Sequence, residues 1–495
     1  MTCGRRKADD ILGITSPGRW VLPSLTPLKL GFQPVAALPL LLLCLAASLL
    51  SPSKTRADAL DVYVQAQLLK QHVPGLALEV VQNGKVVKQK GYGLADVERN
   101  VPVTTDTVFE IGSITKQFTA TAIMLLVDGG KIGLDDKISR YRDGLPDAWN
   151  AVTIRQLLSH TSGIPDYEEI MGYGSYRNLM TAKQVIALAA GKPLDFAPGT
   201  QWHYSNTGYF LLTLALEKIT NQPYIQFVQT RILSPLGMTH TRSSEPRDII
   251  PLRAAGYAYE DGRLENRDPI QPTATGGAAM LVSTVGDMAK WGAEILTPTL
   301  LHEKDYDLLW ANTPLADGTP SGYGFGWFLA PKHGHRALEH SGGTAGFTCD
   351  MLCLPDDRLV VIVLTNGYQS TARPTAVLDY SAALFVPALA YHAIPDHAPQ
   401  VAAALKDFYT HRTDPDVYAA PLSVAFAATL RSTWTQRRSL FRSLGPVQSV
   451  ELVERSGTAA KPKDRYRLSY PNLTLLVTVM LDSTGKIAGL LAEEE

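Results

Sequence analysis

The stretch Phe109–Asp128, FEIGSITKQFTATAIMLLVD, decides the fold of this chain. Its apolar residues recur at helical spacing after Gly112, so we predict a helix that begins near Ser113. Ser113 and Lys116 are three positions apart and therefore share one face of that helix. The helix N-terminus offers backbone N–H groups beside the serine, and burial among apolar neighbours lowers the pKa of a lysine. This pairing predicts a serine nucleophile activated by a lysine.

The Ser-x-x-Lys spacing alone is weak evidence, because a capped helix with a solvated lysine has the same pattern. The sequence Ser51-Pro52-Ser53-Lys54 repeats the spacing in a segment that we interpret as a processed leader. The catalytic interpretation of Ser113 therefore depends on residues found elsewhere in the chain.

The composition of the chain is that of a globular protein. Its 495 residues are 45% hydrophobic, and its formal net charge is -1. A chain of this length is expected to form two or three domains. Lys and Arg total 46 against 47 Asp and Glu, and no extended basic run occurs, so a nucleic-acid partner is not expected.

Residues 1–57 are interpreted as a leader. Basic residues occur up to Lys29, and the run over residues 30–53 is uncharged. This order is typical of a secretory signal that is cleaved after Ala57 or Ala59. The uncharged run is also long enough to be a membrane anchor, which stays an alternative. We therefore expect a periplasmic or secreted protein, with a membrane partner only if the segment is retained.

Two cysteines, Cys349 and Cys353, lie outside the leader. They fall in a predicted strand, so their Cα atoms would be about 13 Å apart, which is too far for a disulfide. We therefore expect the fold to depend on its hydrophobic core.

The chain between residues 75 and 390 runs from strands to helices and back to strands. Asn83-Gly84 predicts a tight hairpin, and the apolar run Leu359–Leu364 predicts a strand. A helix is expected over Ser283–Leu296, with Ser283 or Thr284 as its N-cap. Because no regular βαβ repeat occurs, we predict an α+β fold with antiparallel pairing.

We predict two folded regions after the leader. Residues 58–392 form the main domain, and residues 399–495 form a small α+β accessory domain with three strands. The composition changes to His, Pro and Ala between them. The accessory segment contains no Ser-Lys, metal-ligand or Gly-rich phosphate pattern, so no catalytic residue is expected there. The following aromatic residues are expected to form its core: Phe408, Tyr409, Phe426, Trp434 and Phe441.

Two further motifs could complete a site with Ser113. The sequence Tyr-Ser-Asn at 204–206 lies between predicted helices, and residues two apart in extended backbone project to the same side. The sequence His-Ser-Gly-Gly at 340–343 begins a predicted strand. Its glycines let a substrate lie against the strand and leave the Gly343 N–H free to donate.

In this order and spacing, the three motifs resemble the serine β-lactamase and penicillin-binding-protein superfamily. Their form is similar to class C β-lactamases, soluble D-alanyl-D-alanine carboxypeptidases and related esterases. The resemblance covers residues 60–390, with secondary motifs at 154–163, 198–206 and 342–347. It implies a β-lactamase/transpeptidase-like fold, in which an antiparallel sheet is flanked by helices and joined by a helical subdomain.

The resemblance also implies a role for each catalytic residue. Ser113 attacks a carbonyl and becomes acylated, and Lys116 takes its proton, either alone or through Tyr204. Tyr204 protonates the leaving group and later activates water. Asn206 holds Lys116 and the substrate amide. Which of Lys116 and Tyr204 is the base stays open.

The third motif is implied to bind substrate through His340, Gly342 and Gly343. The backbone N–H groups of Ser113 and Gly343 form the implied oxyanion hole. Lactamases and most penicillin-binding proteins carry a lysine where this chain has His340. A neutral histidine offers a hydrogen bond in place of a fixed cation. We therefore expect poor β-lactam turnover, and carboxylate recognition that weakens between about pH 6 and 7.5.

These features predict an exported serine hydrolase that forms an acyl-enzyme on D-amino peptides or short esters. Peptidoglycan-derived peptides are one candidate substrate, and no cofactor or metal is implied. One alternative is a class C-like β-lactamase, and another is a catalytically inactive penicillin-binding-type sensor or scaffold.

Several histidines near the motifs are interpreted as structural. His160 and His203 lie beside helix ends, where a histidine is usually a packing residue with its hydrogen bonds satisfied. His333 and His335 could suggest a metal together with His340. No carboxylate or Cys cluster accompanies them, so we interpret them as loop histidines.

Four other residues near the motifs have two candidate roles. Asp166 and Tyr167 either line the cleft or form the turn after Pro165. Trp327 and Phe328 are expected to pack against a strand rather than to stack on substrate.

Overall fold

The structure is a computed structural model that describes residues 52–172, 176–411, 422–428, 431, 446–458, 461–471 and 474–494. The signal or anchor predicted for residues 1–57 falls almost entirely outside these residues, as do Trp434 and Phe441. Residues Thr55–Glu495 form one compact unit. Among the helices that the structure describes, none is both long and apolar enough to cross a membrane.

The helices and strands are numbered here in chain order. The α-helices are α1 Pro52–Gln71, α2 Thr115–Asp128, α3 Ile154–Leu158, α4 Tyr167–Met171, α5 Ala182–Ala190, α6 Asn206–Thr220, α7 Tyr224–Val228, α8 Pro272–Thr275, α9 Val285–Leu296, α10 Glu303–Leu309, α11 Pro374–Phe385 and α12 Pro399–His411. The strands are β1 Gly75–Gln82, β2 Lys85–Asp96, β3 Val101–Pro102, β4 Phe109–Glu110, β5 Arg242–Ser243, β6 Gly256–Glu260, β7 Arg263–Arg267, β8 Leu281–Ser283, β9 Leu338–Gly343, β10 Thr348–Leu354, β11 Leu359–Thr365, β12 Ser449–Thr458, β13 Lys461–Ser469, β14 Thr474–Leu481 and β15 Ile487–Glu494.

A six-stranded sheet with the order β3-β2-β1-β11-β10-β9 is the centre of the main region, and its strands lie between residues 75 and 365. Its ladders are antiparallel, so strands from both ends of this region pair with one another. Helices pack on both faces of the sheet. The predicted α+β fold with antiparallel pairing is therefore confirmed.

Strand β11 lies in the middle of this sheet and is buried along its whole length. Leu359, Val361 and Val363 belong to the core that includes Leu60 of α1. Their neighbours in sequence belong to the opposite core, which contains α2. Burial of each such side chain contributes roughly 1.5–3 kcal/mol. Because both faces of the sheet are covered, this strand is apolar at every position over Leu359–Leu364 instead of at alternate positions. The strand predicted from the apolar run is therefore confirmed.

The hairpin between β1 and β2 forms at the predicted Asn83-Gly84 turn. Gln82 pairs with Lys85, which leaves a two-residue loop. Both loop residues have positive φ, 54° for Asn83 and 75° for Gly84. This is the left-handed geometry that Asn-Gly favours in tight hairpins.

Helix α2 is buried on nearly all sides, which holds its N-terminus in a fixed place. Phe118 stacks on Trp291 of α9 with ring centroids 4.4 Å apart. The Trp291 indole N–H donates to Gln117 Oε1 at 2.7 Å. Helix α9 in turn packs against the sheet, where Gly292 leaves room for Val360. Helix α2, which follows Ser113, is thus tied to the sheet through α9.

The helix predicted over Ser283–Leu296 begins later than its first residue. Thr284 is the N-cap, and its side chain accepts a hydrogen bond from Asp287 N. Residues Leu281–Ser283 instead form β8, which pairs with β4 and β5. The backbone of Ser283 is used by this short sheet, so Thr284 is the one predicted cap that is free to start the helix.

The C-terminal residues contain a second antiparallel sheet with the order β12-β13-β14-β15. Phe408 and Tyr409 lie in its core, and Phe426 packs against that core. The sequence predicted three strands and missed β15, whose Ala, Gly and Glu residues have low β propensity. That residues 399–495 are an independent domain stays a prediction.

Candidate active site

The nucleophile candidate lies in a tight turn just before α2. Gly112–Ile114 form one 3₁₀ turn, and α2 follows directly at Thr115. Gly112 has φ of 50°, a left-handed conformation that glycine adopts readily. The turn brings Ser113 Oγ to 3.0 Å from Lys116 Nζ. The sequence-predicted pair therefore meets, although Ser113 precedes the α-helix instead of lying within it.

Lys116 is fully buried and makes three polar contacts through Nζ. The ammonium donates to Ser113 Oγ, to Asn206 Oδ1 at 2.7 Å and to the carbonyl oxygen of Ala278 at 3.0 Å. Burial lowers its pKa to about 7, against the opposing attraction of the Glu168 and Asp166 carboxylates. A lysine with this pKa can exchange a proton with a serine near neutral pH.

The Tyr-Ser-Asn motif lies at the N-terminus of α6. Ser205 is extended and caps the helix, since its Oγ accepts from Gly208 N at 3.3 Å. Asn206 is the first helical residue, and the Tyr204 ring centroid lies 4.6 Å from Lys116 Nζ. The extended residue between them turns both side chains toward Lys116, as the sequence predicted.

Asp166 lies in the site rather than only in a turn. Its Oδ1 accepts from the backbone N–H of Asn206 at 3.1 Å, and its Oδ2 accepts from Asn206 Nδ2 at 3.0 Å. It also caps α4, where its side chain accepts from Glu168 N. Burial and the neighbouring Glu168 raise its pKa to about 6. Tyr167 is buried and packs against Tyr176 and Phe210.

The Gly-Gly pair of β9 lies directly against the Ser113 turn. A Cβ atom added to Gly112 would be only 2.6 Å from Gly343 N. Gly342 is equally close, because a Cβ there would overlap the Ile111 carbonyl. The chain therefore needs glycine on both sides of this contact. The backbone of Gly343 is in this way brought beside the backbone of Ser113.

His340 differs from what the sequence predicted. It is 1% exposed, Tyr323 OH donates to its Nε2 at 2.9 Å, and its Nδ1 donates to the Ser341 carbonyl at 2.6 Å. Burial and the nearby Lys116 lower its pKa to about 3. Both ring nitrogens are thus engaged within the protein. In this geometry neither nitrogen is free for a substrate carboxylate, and the lowered pKa opposes the titration expected between about pH 6 and 7.5.

A cavity of ≈ 250 Å³ opens above Ser113. Phe328 pairs with Glu339 of β9, as expected, and also lines this cavity, whereas Trp327 is buried in the core. The two residues differ because neighbouring residues of an extended segment point in opposite directions. The lining residues are Ser113, Trp202, Tyr204, Phe328, His340, Ser341, Gly342, Gly343, Thr348 and Gln369.

The sequence assigned no role to Trp202 or Gln369, although both line this cavity. Trp202 lies inside the quoted motif at 198–206, and its position two before Tyr204 was the available signal. Gln369 follows β11 by four residues and has no motif to mark it. Glu168 was also missed, since it carries no pattern apart from its position two residues after Asp166.

The family is identified by a match over most of the chain. Residues 60–384 match the family model named Beta-lactamase. The chain belongs to the beta-lactamase family. Together with the relatives below, this membership indicates a serine-hydrolase type of fold, and it confirms the resemblance drawn from the three motifs.

Relatives of this beta-lactamase family chain include penicillin-binding proteins and an amidase. Penicillin-binding protein 4* of Bacillus subtilis (strain 168) is 30% identical over 317 residues, which are 60% of this chain and 69% of the relative. The D-amino acid amidase of Ochrobactrum anthropi SV3, solved with L-phenylalanine amide, has a TM-score of 0.59 and 26% identity, and covers 68% of this chain and 99% of its own. The octameric penicillin-binding protein homologue from Pyrococcus abyssi has a TM-score of 0.59 and 22% identity, over 88% and 95% of the two chains.

The histidines that flank the site of this beta-lactamase family chain have separate roles. His160 is buried, its Nδ1 accepts from Ser205 N at 3.1 Å, and its carbonyl accepts from His203 N at 3.0 Å. It therefore supports the loop that carries Tyr204. His203 lies at the surface beside Glu169 and Asp195.

The histidines considered for a metal do not converge. His333 packs on Tyr391, His335 Nδ1 is bonded to Asp357 Oδ2 at 2.8 Å, and His340 is bonded to Tyr323. One other group in the described residues could by distance share a cation, namely Asp128, His302 and Asp305. Lys304 Nζ lies 3.8 Å from Asp128 Oδ1, so this group already has a balancing charge.

Proposed function

We propose that this chain is a serine hydrolase that forms an acyl-enzyme at Ser113 and acts on D-amino peptides, D-amino amides or short esters. The observation that carries the proposal is the contact of a fully buried Lys116 with Ser113 Oγ at 3.0 Å. A lysine in this position removes the serine proton as the oxygen attacks a carbonyl carbon. The family supports hydrolysis in general, and the substrate class rests on the cavity.

The reaction begins when Ser113 Oγ adds to the substrate carbonyl and Lys116 Nζ accepts its proton. The backbone N–H groups of Ser113 and Gly343 donate to the oxyanion that forms, and each lowers the activation barrier by ~3 kcal/mol. Lys116 then returns the proton to the leaving group, directly or through Tyr204, whose ring lies 4.6 Å from Nζ. Water then attacks the resulting acyl-enzyme ester, and the same groups transfer the protons in the opposite direction.

The lining of the cavity supports an acyl donor without a carboxylate. None of the ten residues that line it is Lys, Arg, Asp or Glu, and burial lowers the pKa of His340 to about 3. Carboxylate recognition needs a fixed cation or paired donors. Trp202 and Phe328 instead offer aromatic surface to an apolar substituent. One of the similar solved structures is named a D-amino acid amidase, which supports an amide substrate.

We also propose that the chain is exported and meets a peptidoglycan-derived peptide or another small amide outside the cytoplasm. The order of basic, uncharged and small residues over 1–57 supports this. N-terminal sequencing of protein from a cell envelope fraction tests it. A mature chain that begins at 58 or 60 is expected, and an intact leader in a membrane fraction would indicate the anchor instead.

Labelling followed by peptide mapping tests the nucleophile. A fluorophosphonate probe is expected to modify Ser113 and to leave Ser113→Ala unlabelled with an unchanged unfolding temperature. Ser341→Ala is the matched control, because Ser341 lines the same cavity and its variant should still be labelled. Label on another residue would contradict the proposal.

A substrate panel tests the chemical class. The panel contains D-phenylalanine amide, a D-alanyl-D-alanine peptide, p-nitrophenyl acetate and a chromogenic cephalosporin. Turnover of the amide or the ester is expected to exceed that of the cephalosporin. Faster cephalosporin turnover would identify a β-lactamase. A long-lived adduct without turnover of any substrate would instead favour a penicillin-binding sensor.

A further inference from the structure

The side-chain amide of Asn206 lies between one cation and two carboxylates. Its Oδ1 accepts from Lys116 Nζ at 2.7 Å. Its Nδ2 donates to Asp166 Oδ2 and to Glu168 Oε2, both at 3.0 Å. An ammonium can only donate and a carboxylate can only accept, so a single orientation of the amide satisfies all three neighbours.

We propose that Asp166 and Glu168 are positioning residues, which lock the Asn206 amide in this orientation and supply the negative charge that balances the Lys116 ammonium. This inference rests on the proposed function, because it concerns the same site. It assigns a purpose to two carboxylates that are bonded to Asn206 and are not among the residues that line the cavity. Asp166 is 5% exposed, so its contacts are made inside the protein.

The two carboxylates are held in different ways, so their contributions can be separated. Asp166 is anchored to the backbone, since Oδ1 accepts from Asn206 N at 3.1 Å and from Glu168 N at 3.3 Å. Glu168 Oε2 accepts from Asn206 Nδ2 and also from Tyr176 OH. Both contacts reach the same oxygen of Glu168. A glutamine at 168 can therefore keep both bonds through its carbonyl oxygen and lose only the charge.

An asparagine at 166 has a different effect on the amide. Its oxygen can keep the two backbone contacts of Oδ1, but its NH₂ group then faces Asn206 Nδ2, donor against donor. If Asn206 rotates to relieve this conflict, its own NH₂ group faces the Lys116 ammonium. Either arrangement leaves a buried donor without an acceptor, which costs about 1–3 kcal/mol.

Two histidines and one tyrosine that face Lys116 do not carry charge at neutral pH. Burial lowers the pKa of His160 well below its usual value and that of His340 to about 3, and burial raises the pKa of Tyr209. Among the described residues, the carboxylates that face Lys116 are Asp166, just before α4, and Glu168, within it. The other groups that face it are His160 after α3, Tyr204 and Tyr209 at α6, and His340 on β9. Asp166 and Glu168 are the groups whose charge raises the pKa of Lys116.

The pH profile of ester hydrolysis tests the charge. Both carboxylates raise the pKa of Lys116, so Glu168→Gln lowers it and more of the lysine becomes neutral at a given pH. The ascending limb of kcat/KM for p-nitrophenyl acetate should move down by roughly 0.5–1 pH unit, with an alkaline plateau within about twofold of wild type. Glu169→Gln is the matched control on the same helix, because Glu169 contacts His203 at the surface.

Asp166→Asn tests the orientation. Its kcat is expected to fall by about tenfold or more at every pH, because the amide that holds Lys116 is turned away. Only variants whose unfolding temperature is within a few degrees of wild type are compared. Fluorophosphonate labelling of Ser113 verifies that the site is intact in each of them. A limb that moves no further in Glu168→Gln than in Glu169→Gln would overturn the charge role. Full activity in Asp166→Asn would overturn the orientation role. If wild type neither labels nor turns over ester, the proposed function fails instead.

Discussion

Lys116 Nζ lies 2.7 Å from Asn206 Oδ1, although the two residues are 90 positions apart in the chain. The contact joins the start of α2 to the start of α6. Because Lys116 is fully buried, its ammonium depends on this oxygen, on Ser113 Oγ and on the Ala278 carbonyl for its hydrogen bonds. The site therefore exists only when the two helices are packed together.

Replacing Asn206 should damage both activity and stability. Asn206→Leu keeps a similar volume but removes the acceptor for Lys116 and the donor for Asp166. We expect kcat/KM for p-nitrophenyl acetate to fall about 100-fold, and the free energy of unfolding to fall by about 1–3 kcal/mol. Steady-state kinetics and urea unfolding measure the two effects. Asn150→Leu, at an exposed turn, should change neither, and equal effects in both variants would contradict the role of Asn206.

The pH dependence of the wild-type enzyme should report Lys116. Burial lowers its pKa to about 7, and only the neutral amine accepts the Ser113 proton. Below that pH the lysine is protonated, so kcat/KM should rise with pH and reach half of its plateau near pH 7. Ester hydrolysis measured from about pH 5.5 to 9 shows the limb. A flat profile over that range, with the protein folded throughout, would be incompatible with a lysine base.

His340 should not discriminate between substrates by charge. Its pKa of about 3 keeps the ring neutral between about pH 5.5 and 8, and both nitrogens are bonded to Tyr323 and Ser341. The ratio of KM values for a carboxylate-bearing ester and its neutral methyl ester should therefore stay constant over this range. The two esters are measured side by side at each pH. A ratio that rises several-fold across about pH 6–7.5 would show that His340 titrates there, as predicted from the sequence.

The contact between the Ser113 turn and β9 should be sensitive to one methyl group. Gly112 has φ of 50°, and a Cβ there would be 2.6 Å from Gly343 N. Gly130 has φ of 63°, and a Cβ there would meet nothing within 4 Å. Both Gly→Ala changes should lower the unfolding free energy through φ strain, by about 1–2 kcal/mol.

Only Gly112→Ala should also separate Ser113 from Gly343, and we expect its kcat to fall at least about tenfold while Gly130→Ala stays near wild type. Thermal unfolding and ester kinetics on the two variants make the comparison. Equal kinetics in both variants would show that the Gly112 contact does not shape the site.

Much of the fold could be predicted because it is written in local patterns. Asn83-Gly84 marked the first hairpin, and the apolar run at 359–364 marked the central strand, since backbone geometry and burial act residue by residue. Strand β15 escaped because its residues have low β propensity and owe their conformation to pairing with β14. The pairing within the sheet, rather than the local sequence, determines that this segment is a strand.

The sequence by itself determined which residues form the candidate site: the Ser113 turn, the Lys116 amine, the Tyr204 and Asn206 pair and the Gly-Gly strand. Local spacing places each of these on one helix face, helix start or strand. Only the tertiary structure decided their electrostatics. Desolvation and hydrogen bonding depend on groups distant in sequence. They alone lower the pKa of Lys116 to about 7, leave His340 neutral with both nitrogens occupied, and bring Glu168 to Asn206.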